Sequence, residues 1–106
     1  MNPKESNHEF CPVAVVAELL GDACTLLIIR DLLLGNKRFK DFEQSLSPMS
    51  SRTITKKLRI LEEKKIITRT EFKERPPRVL YALTKEGRKL STLIDEMRVY
   101  GTRFLS

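Results

Sequence analysis

The chain has 106 residues with a formal net charge of +6, and 41% of the residues are hydrophobic. This length fits one domain with one core, and no apolar run approaches the roughly 18 residues that a membrane-spanning helix needs. Residues 1–10 are polar and lack a signal-peptide pattern. We therefore expect a mobile N-terminal arm over 1–10, a folded domain over 11–106, no contact with a membrane, and a cytoplasmic location.

The positive charge is confined to one segment of the chain. Residues 37–78 contain 13 Lys and Arg against 6 Asp and Glu, a net charge of +7, whereas the other 64 residues contain 7 and 8, a net charge of −1. Such a segment is typical of a surface that binds a polyanion, although charge alone does not define a fold. A solvated basic face without a partner is the alternative that charge alone leaves open.

The first half of the chain predicts three helices. Pro12 suits the first turn of a helix, because its missing N–H would be unpaired there, and Gly21 ends that helix. Asp22 is a plausible N-cap for a second helix over 23–34. This helix is apolar almost all round, which predicts that it is the buried central helix, and it ends at Gly35. A short third helix over 40–46 follows, with Phe39, Phe42 and Leu46 as its buried residues.

The next segment predicts a turn and a capped helix. Pro48 disfavours helix at the residue before it, so 47–50 is predicted to be a turn. Ser50 or Ser51 then caps a helix that continues to about Lys64. A short helix, a tight turn and a capped helix in this order indicate a helix-turn-helix.

After residue 65 the pattern changes from helix to strand. Residues 66–73 alternate, with Ile66, Thr68, Thr70 and Phe72 on one side, and 79–83 return with Val79, Tyr81 and Leu83 on one face. The Glu74-Arg75-Pro76-Pro77 segment between them cannot continue a paired strand, because proline has no N–H. Thr84 is predicted to cap one long last helix, whose apolar positions are Leu90, Leu93, Ile94, Met97 and Phe104. The predicted fold is mainly α with a small β-hairpin, a winged helix-turn-helix.

The helix after Ser50 has a basic outward face. At about 100° per residue, Ile54, Leu58 and Leu61 form the buried stripe, and the side chains of Arg52, Lys56 and Arg59 lie at about 140–200° from it. Arginine can bind guanine O6 and N7 together, and threonine can contact a thymine methyl group or a phosphate. We therefore predict that this helix enters the major groove of double-stranded DNA. Its DNA-binding candidates are Ser50, Ser51, Arg52, Thr53, Thr55, Lys56 and Arg59, with the two serines and the first-turn N–H groups binding a phosphate.

The predicted hairpin and the segment before the third helix supply further basic candidates. Lys73, Arg75 and Arg78 surround Pro76 and Pro77, so that the hairpin is predicted to act as a wing that contacts a minor groove or phosphates. A hairpin that charge merely keeps soluble is the alternative. Two more DNA-binding candidates precede the third helix, namely Lys37 and Arg38.

Several separated motifs together resemble the HxlR-type winged helix-turn-helix regulators over roughly residues 11–101. These motifs are CPV at 11–13, GDACTLLIIR at 21–30, RFKDF at 38–42, SSRTITKKL at 50–58 and PPRVLYALTKEG at 76–87. The resemblance implies a homodimeric bacterial transcription regulator, usually a repressor, whose first and last helices form the dimer interface. The family usually has Trp where this chain has Cys24. A two-fold dimer would place its recognition helices about 34–36 Å apart and would bind an inverted repeat.

The resemblance also bears on the two cysteines. Some family members sense oxidants or electrophiles through a cysteine at the position of Cys11, which makes Cys11 a candidate redox switch and an oxidant or other small molecule a candidate inducer. Cys11 lies at a predicted helix N-terminus, where the helix dipole makes a thiol more reactive. A semi-buried, unreactive side chain is the alternative, and it is the favoured interpretation of Cys24.

Other function classes have less support in the sequence. A winged-helix module for protein contact is the main alternative, but its recognition face is typically less basic. RNA binding usually needs exposed aromatic side chains, and most aromatic residues here fall on predicted apolar faces. We predict no enzyme activity, no cofactor and no metal site, since His8 is the single histidine and no nucleophile–base pair is evident.

Overall fold

A computed structural model describes residues 10–106, so that the arm predicted over 1–10 lies outside the described residues except for Phe10. The fold is mainly helical and contains one antiparallel hairpin, as predicted. The elements are α1 Pro12–Leu20, α2 Ala23–Leu34, α3 Phe39–Ser45, α4 Ser51–Glu63, β1 Ile67–Phe72, β2 Arg78–Leu83, α5 Lys85–Arg88, α6 Ser91–Tyr100 and a π-helical turn Gly101–Leu105.

Residues at the two ends of α2 set where this helix begins and where it stops. The Asp22 carboxylate accepts hydrogen bonds from the backbone N–H of Thr25 at 2.8 Å and from its Oγ1 at 2.9 Å, which caps the helix as predicted. At the other end Gly35 has a φ of 151°, a conformation that favours glycine. The helix therefore has the predicted bounds, and most of its side chains pack into the core.

Asp22 also makes stability depend on pH. Partial burial acts to raise its pKa, but the hydrogen bonds from Thr25 and the charge of Lys57 outweigh burial, so the pKa lies below its ordinary value of 3.8. A lowered pKa means that the charged cap stabilises the fold above the ordinary pKa and stops doing so as the pH falls through the folded-state pKa.

We expect Asp22→Asn to lower the free energy of unfolding by about 0.5–1 kcal/mol at neutral pH. Asparagine is an equally good N-cap, so that the variant loses the charge while it keeps the cap. Urea unfolding of both proteins from neutral pH down to about pH 3 would show the difference shrinking. A difference that stays constant with pH would contradict this assignment.

Residues from every layer meet in one core beneath α2. The Phe42 ring contacts the Tyr81 ring edge-on, with their centroids 5.9 Å apart, which joins α3 to the hairpin. Arg30 of α2 donates hydrogen bonds to both Asp31 and Ser45, and this fixes the end of α3. The largest fully buried side chains are Phe42, Ile28, Ile29, Ile54, Leu61 and Ile67.

The hairpin pairs Ile67 with Leu83 and Phe72 with Arg78. Val79, Tyr81 and Leu83 share a face as predicted, and Tyr81 and Leu83 are buried. On β1 the buried residue is Ile67, which pairs with the buried Leu83 of β2. Ile66 and Phe72 lie on the opposite side of the strand. The backbone of Lys37 pairs with that of Tyr81 in both directions, at 2.9 and 2.7 Å, and adds one bridge beside the hairpin.

The prediction of one long last helix is wrong. The helical segment that Thr84 caps ends at Arg88, and α6 begins at Ser91. Thr84 Oγ1 donates to the backbone oxygen of Lys65 at 2.7 Å. At Gly87, an added Cβ would lie 2.1 Å from the Ile66 oxygen. These contacts hold α5 against the start of β1, so the chain must turn before it can continue as α6.

Within residues 10–106, no single helix is long and apolar enough to cross a membrane. The α1–α2 pair reaches that length and composition only across a bend of 87°.

Candidate nucleic-acid interface

Helix α4 presents a basic, solvent-facing surface. Its apolar residues Ile54, Leu58 and Leu61 are buried, which confirms the predicted stripe. All three of Arg52, Lys56 and Arg59 are exposed, and within residues 10–106 none of them makes an ion pair or side-chain hydrogen bond. Their donors are therefore available to an external acceptor. Thr53 and Thr55 are exposed on the flanks of this face.

The start of α4 has the predicted serine cap, and both serine hydroxyls have partners within the chain. Ser50 Oγ accepts a hydrogen bond from the N–H of Thr53 at 3.1 Å and donates to Thr53 Oγ1 at 3.0 Å, so Ser50 is the N-cap. Ser51 Oγ donates to Glu43 Oε2 at 2.6 Å. Both hydroxyls have partners within the chain, whereas the backbone N–H groups of the first turn have no carbonyl partner inside α4.

Lys57 on the flank of α4 contacts the start of α2. Its Nζ lies 3.4 Å from Asp22 Oδ2, and both side chains are partly buried. This ion pair joins the cap of α2 to the middle of α4. Lys57 was not among the predicted site residues, and no sequence signal identifies a pair of residues 35 positions apart.

The basic residues of the wing differ in whether they have partners within the chain. Lys73 and Arg75 are exposed and make no ion pair within residues 10–106. Arg78 instead lies with its guanidinium carbon 4.6 Å from the Phe72 ring centroid, and its Nη2 atom is 3.2 Å from Glu74 Oε1. Arg78 therefore shapes the wing in this state, while Lys73 and Arg75 extend freely from it.

Further basic side chains line a groove between the start of α3 and the tip of the wing. Arg38 and Lys40 line it from α3, and Arg75 and Arg78 line it from the hairpin. Arg38 was a predicted candidate and Lys40 was not, although Lys40 belongs to the same basic segment. Lys37 lines a different hollow, which it shares with the carboxylates of Asp31 and Asp41.

A second surface of the chain is apolar. Side chains of α1 and α6 line a shallow groove, among them Val13, Val16, Leu93 and Met97. Val13 is 78% exposed and Met97 44% exposed, and exposed patches of this kind mark interaction sites. Further along, the rings of Tyr100 and Phe104 contact each other at an interplanar angle of 44°, with their centroids 4.9 Å apart, while both stay exposed.

The two cysteines differ in accessibility. Cys11 is partly exposed and occupies the N-cap position of α1, next to the apolar groove. Cys24 is only 5% exposed. Burial, together with the charge of Asp22, raises the pKa of the Cys24 thiol, and this makes it a poor nucleophile.

Comparisons with known proteins give one consistent result. A family model described as HxlR-like helix-turn-helix matches residues 19–106. An uncharacterized HTH-type transcriptional regulator of Synechocystis, sll1512, is 36% identical over 101 residues, which are 95% of this chain and 74% of the relative.

Two solved structures have the same fold. A structure from Porphyromonas gingivalis, described as a transcriptional regulator of the MarR family, superposes with a TM-score of 0.86 at 31% identity, covering 92% of this chain and 95% of the other. The redox regulator HypR in its oxidized form superposes with a TM-score of 0.85 at 29% identity, covering 91% and 99%.

Proposed function

The chain belongs to the HxlR-like helix-turn-helix family and is a DNA-binding transcriptional regulator, and from this premise we propose that it acts as a homodimeric repressor on an inverted-repeat operator. The observation that carries the proposal is the outward face of α4, where Arg52, Lys56 and Arg59 are exposed and unpaired within residues 10–106. We place this activity in the cytoplasm. The match to a family of regulators also agrees with the expectation that the chain is not an enzyme.

Helix α4 and the wing would make different kinds of contact with DNA. The first two turns of α4 would place Arg52 and Lys56 at base edges in the major groove, where arginine recognises guanine. Lys73 and Arg75 of the wing, with Arg38 and Lys40 at the start of α3, would neutralise phosphates. Phosphate contacts fix the position of the protein on the duplex, and base contacts select the sequence.

The apolar groove on α1 and α6 supports the dimer. Four apolar side chains of this groove are 38–78% exposed in the single chain, namely Val13, Val16, Leu93 and Met97. A second copy would remove them from water. Packing of α1 and α6 across a two-fold axis leaves α4 of each copy free. Two copies of α4 would then face successive turns of the major groove.

The regulatory signal we propose is an oxidant or an electrophilic small molecule that reacts with Cys11. Support comes from the partly exposed position of Cys11 at the start of α1, next to the dimer surface, and from the structural similarity to HypR, which is described as a redox regulator. A modification at this position would displace α1 and change the spacing of the two α4 helices.

Selection of bound duplexes from a random pool tests the proposal as a whole. The expected consensus is an inverted repeat whose half-sites are about one helical turn apart, bound with an affinity that falls steeply with salt. A pool without enrichment, or binding that does not change with salt, would contradict the proposal and would favour the protein-contact module instead.

Treatment with a quinone, an electrophile that forms a thioether with a single thiolate, is expected to weaken operator binding by the wild-type chain at least about tenfold, an effect of about 1.4 kcal/mol. Cys11→Ser should bind the operator normally and should not respond to the quinone. Cys24→Ser is the matched control, since Cys24 is buried and should leave the response intact. Unchanged affinity of the treated wild-type chain would refute the role of Cys11.

A further inference from the structure

Glu43 places a carboxylate beside the first residue of α4. Its Oε2 accepts a hydrogen bond from Ser51 Oγ at 2.6 Å, and Glu43 itself is exposed on α3. The first turn of α4 contains no acidic residue. Glu43 therefore supplies a negative charge at the positive end of this helix, where it stabilises the free chain.

The same carboxylate is unfavourable when a phosphate approaches the start of α4. A phosphate would compete with it for the Ser51 hydroxyl, and the two negative charges would repel each other. A residue placed here weakens binding to DNA of any sequence unless the DNA offers it a hydrogen-bond donor.

The major groove contains such donors. An ionised carboxylate only accepts hydrogen bonds, and the N4 amino group of cytosine is the donor to which Glu and Asp bind. The adenine amino group is also a donor, but its usual protein partners are Asn and Gln, which pair with the amino group and N7 together. Ser51 engages Oε2, and within residues 10–106 no hydrogen bond or ion pair uses Oε1, which is therefore able to accept.

We propose that Glu43 is a specificity-determining residue, whose carboxylate accepts a hydrogen bond from a cytosine amino group in each operator half-site. This inference rests on the proposed DNA binding through α4. It predicts that half-sites without cytosine at one position are disfavoured, because the carboxylate then loses the amino donor to which Glu and Asp bind.

Parallel selections from a random duplex pool, each followed by affinity measurements, test this assignment. The wild-type chain should enrich cytosine at one position of each half-site, and Glu43→Gln should lose that preference by about tenfold while other positions keep theirs. Glutamine offers an amide oxygen to Ser51 and therefore preserves the fold. Glu62→Gln is the control, since it makes the same charge change near the other end of α4 and should retain the wild-type consensus.

Ser51→Ala separates base recognition from a structural role of the hydrogen bond. This variant keeps the carboxylate, so cytosine should still be preferred at the same position, whereas a merely structural role would make Ser51→Ala and Glu43→Gln alike. Two outcomes overturn the inference: the same consensus for Glu43→Gln and wild type, or an equal gain in the affinity of Glu43→Gln for every duplex. Absence of any wild-type consensus would instead remove the proposed function.

Discussion

A Val13→Glu variant is expected to be a monomer that binds the operator on the order of 100-fold more weakly than the wild-type chain. Val13 lies in the apolar groove with Val16 and Met97. This groove is the proposed interface with a second copy. A two-fold axis brings the same patch together from both copies, so one substitution buries two carboxylates without partners. Burying an unpaired charge is strongly unfavourable.

The variant should still fold, because Val13 is 78% exposed in the single chain and contributes little to the core. Leu34→Glu is the matched control: Leu34 is 75% exposed but lies at the end of α2, outside the groove. Sedimentation or light scattering gives the oligomeric state, and titration of the operator gives the affinity. A Val13→Glu chain that remains dimeric would show that the interface lies elsewhere.

Replacing Arg52 with alanine should remove most of the sequence discrimination. A bidentate contact between arginine and guanine contributes about 1–3 kcal/mol, so each half-site should lose roughly 5- to 150-fold in preference for the correct base. Arg52 is exposed in the first turn of α4 and makes no ion pair within the described residues. The substitution should therefore leave the free energy of unfolding nearly unchanged.

Lys73→Ala provides the matched comparison, since it also removes one exposed positive charge from the predicted interface. This variant should bind all duplexes less tightly by a similar factor, and the slope of log affinity against log salt should fall by about 0.9 for each phosphate that the variant no longer neutralises. Arg52→Ala should instead lose affinity for the operator far more than for random DNA. Equal losses on both duplexes would refute base recognition by Arg52.

Features that depend on neighbouring residues could be predicted from the sequence. Asp22 and Ser50 each bond to a backbone N–H three residues later, so the caps of α2 and α4 follow from local chemistry. The buried stripe of α4 follows from its apolar spacing in the same way. The predicted outward face of Arg52, Lys56 and Arg59 is exposed for that reason.

Features that depend on distant residues could not be predicted. Thr84 caps a helix as predicted, but its contact with Lys65 and the close approach of Gly87 to Ile66 end that helix early. The bonds from Ser51 to Glu43 and from Lys57 to Asp22 likewise join separate elements. Predicting each of these contacts requires knowledge of how the helices pack, and a local stretch of sequence does not contain that information.

These distant contacts also change the interpretation of the basic surface. Arg78 was among the predicted DNA-binding residues, yet Glu74 and the Phe72 ring hold it within the wing. Glu43 was absent from the predicted site, yet it lies where Ser51 was expected to bind a phosphate. The net charge of the segment therefore does not reveal that Arg78 has partners within the wing, or that a carboxylate lies beside Ser51.

The spacing of the operator half-sites gives the most direct test of recognition by a rigid dimer. Inserting about five base pairs between the selected half-sites turns one of them by roughly half a helical turn, to the opposite face of the duplex. Titrating the wild-type chain against both duplexes at one salt concentration should show at least about 100-fold weaker binding to the expanded operator. Equal affinity for the two duplexes would contradict a rigid dimer that presents two copies of α4.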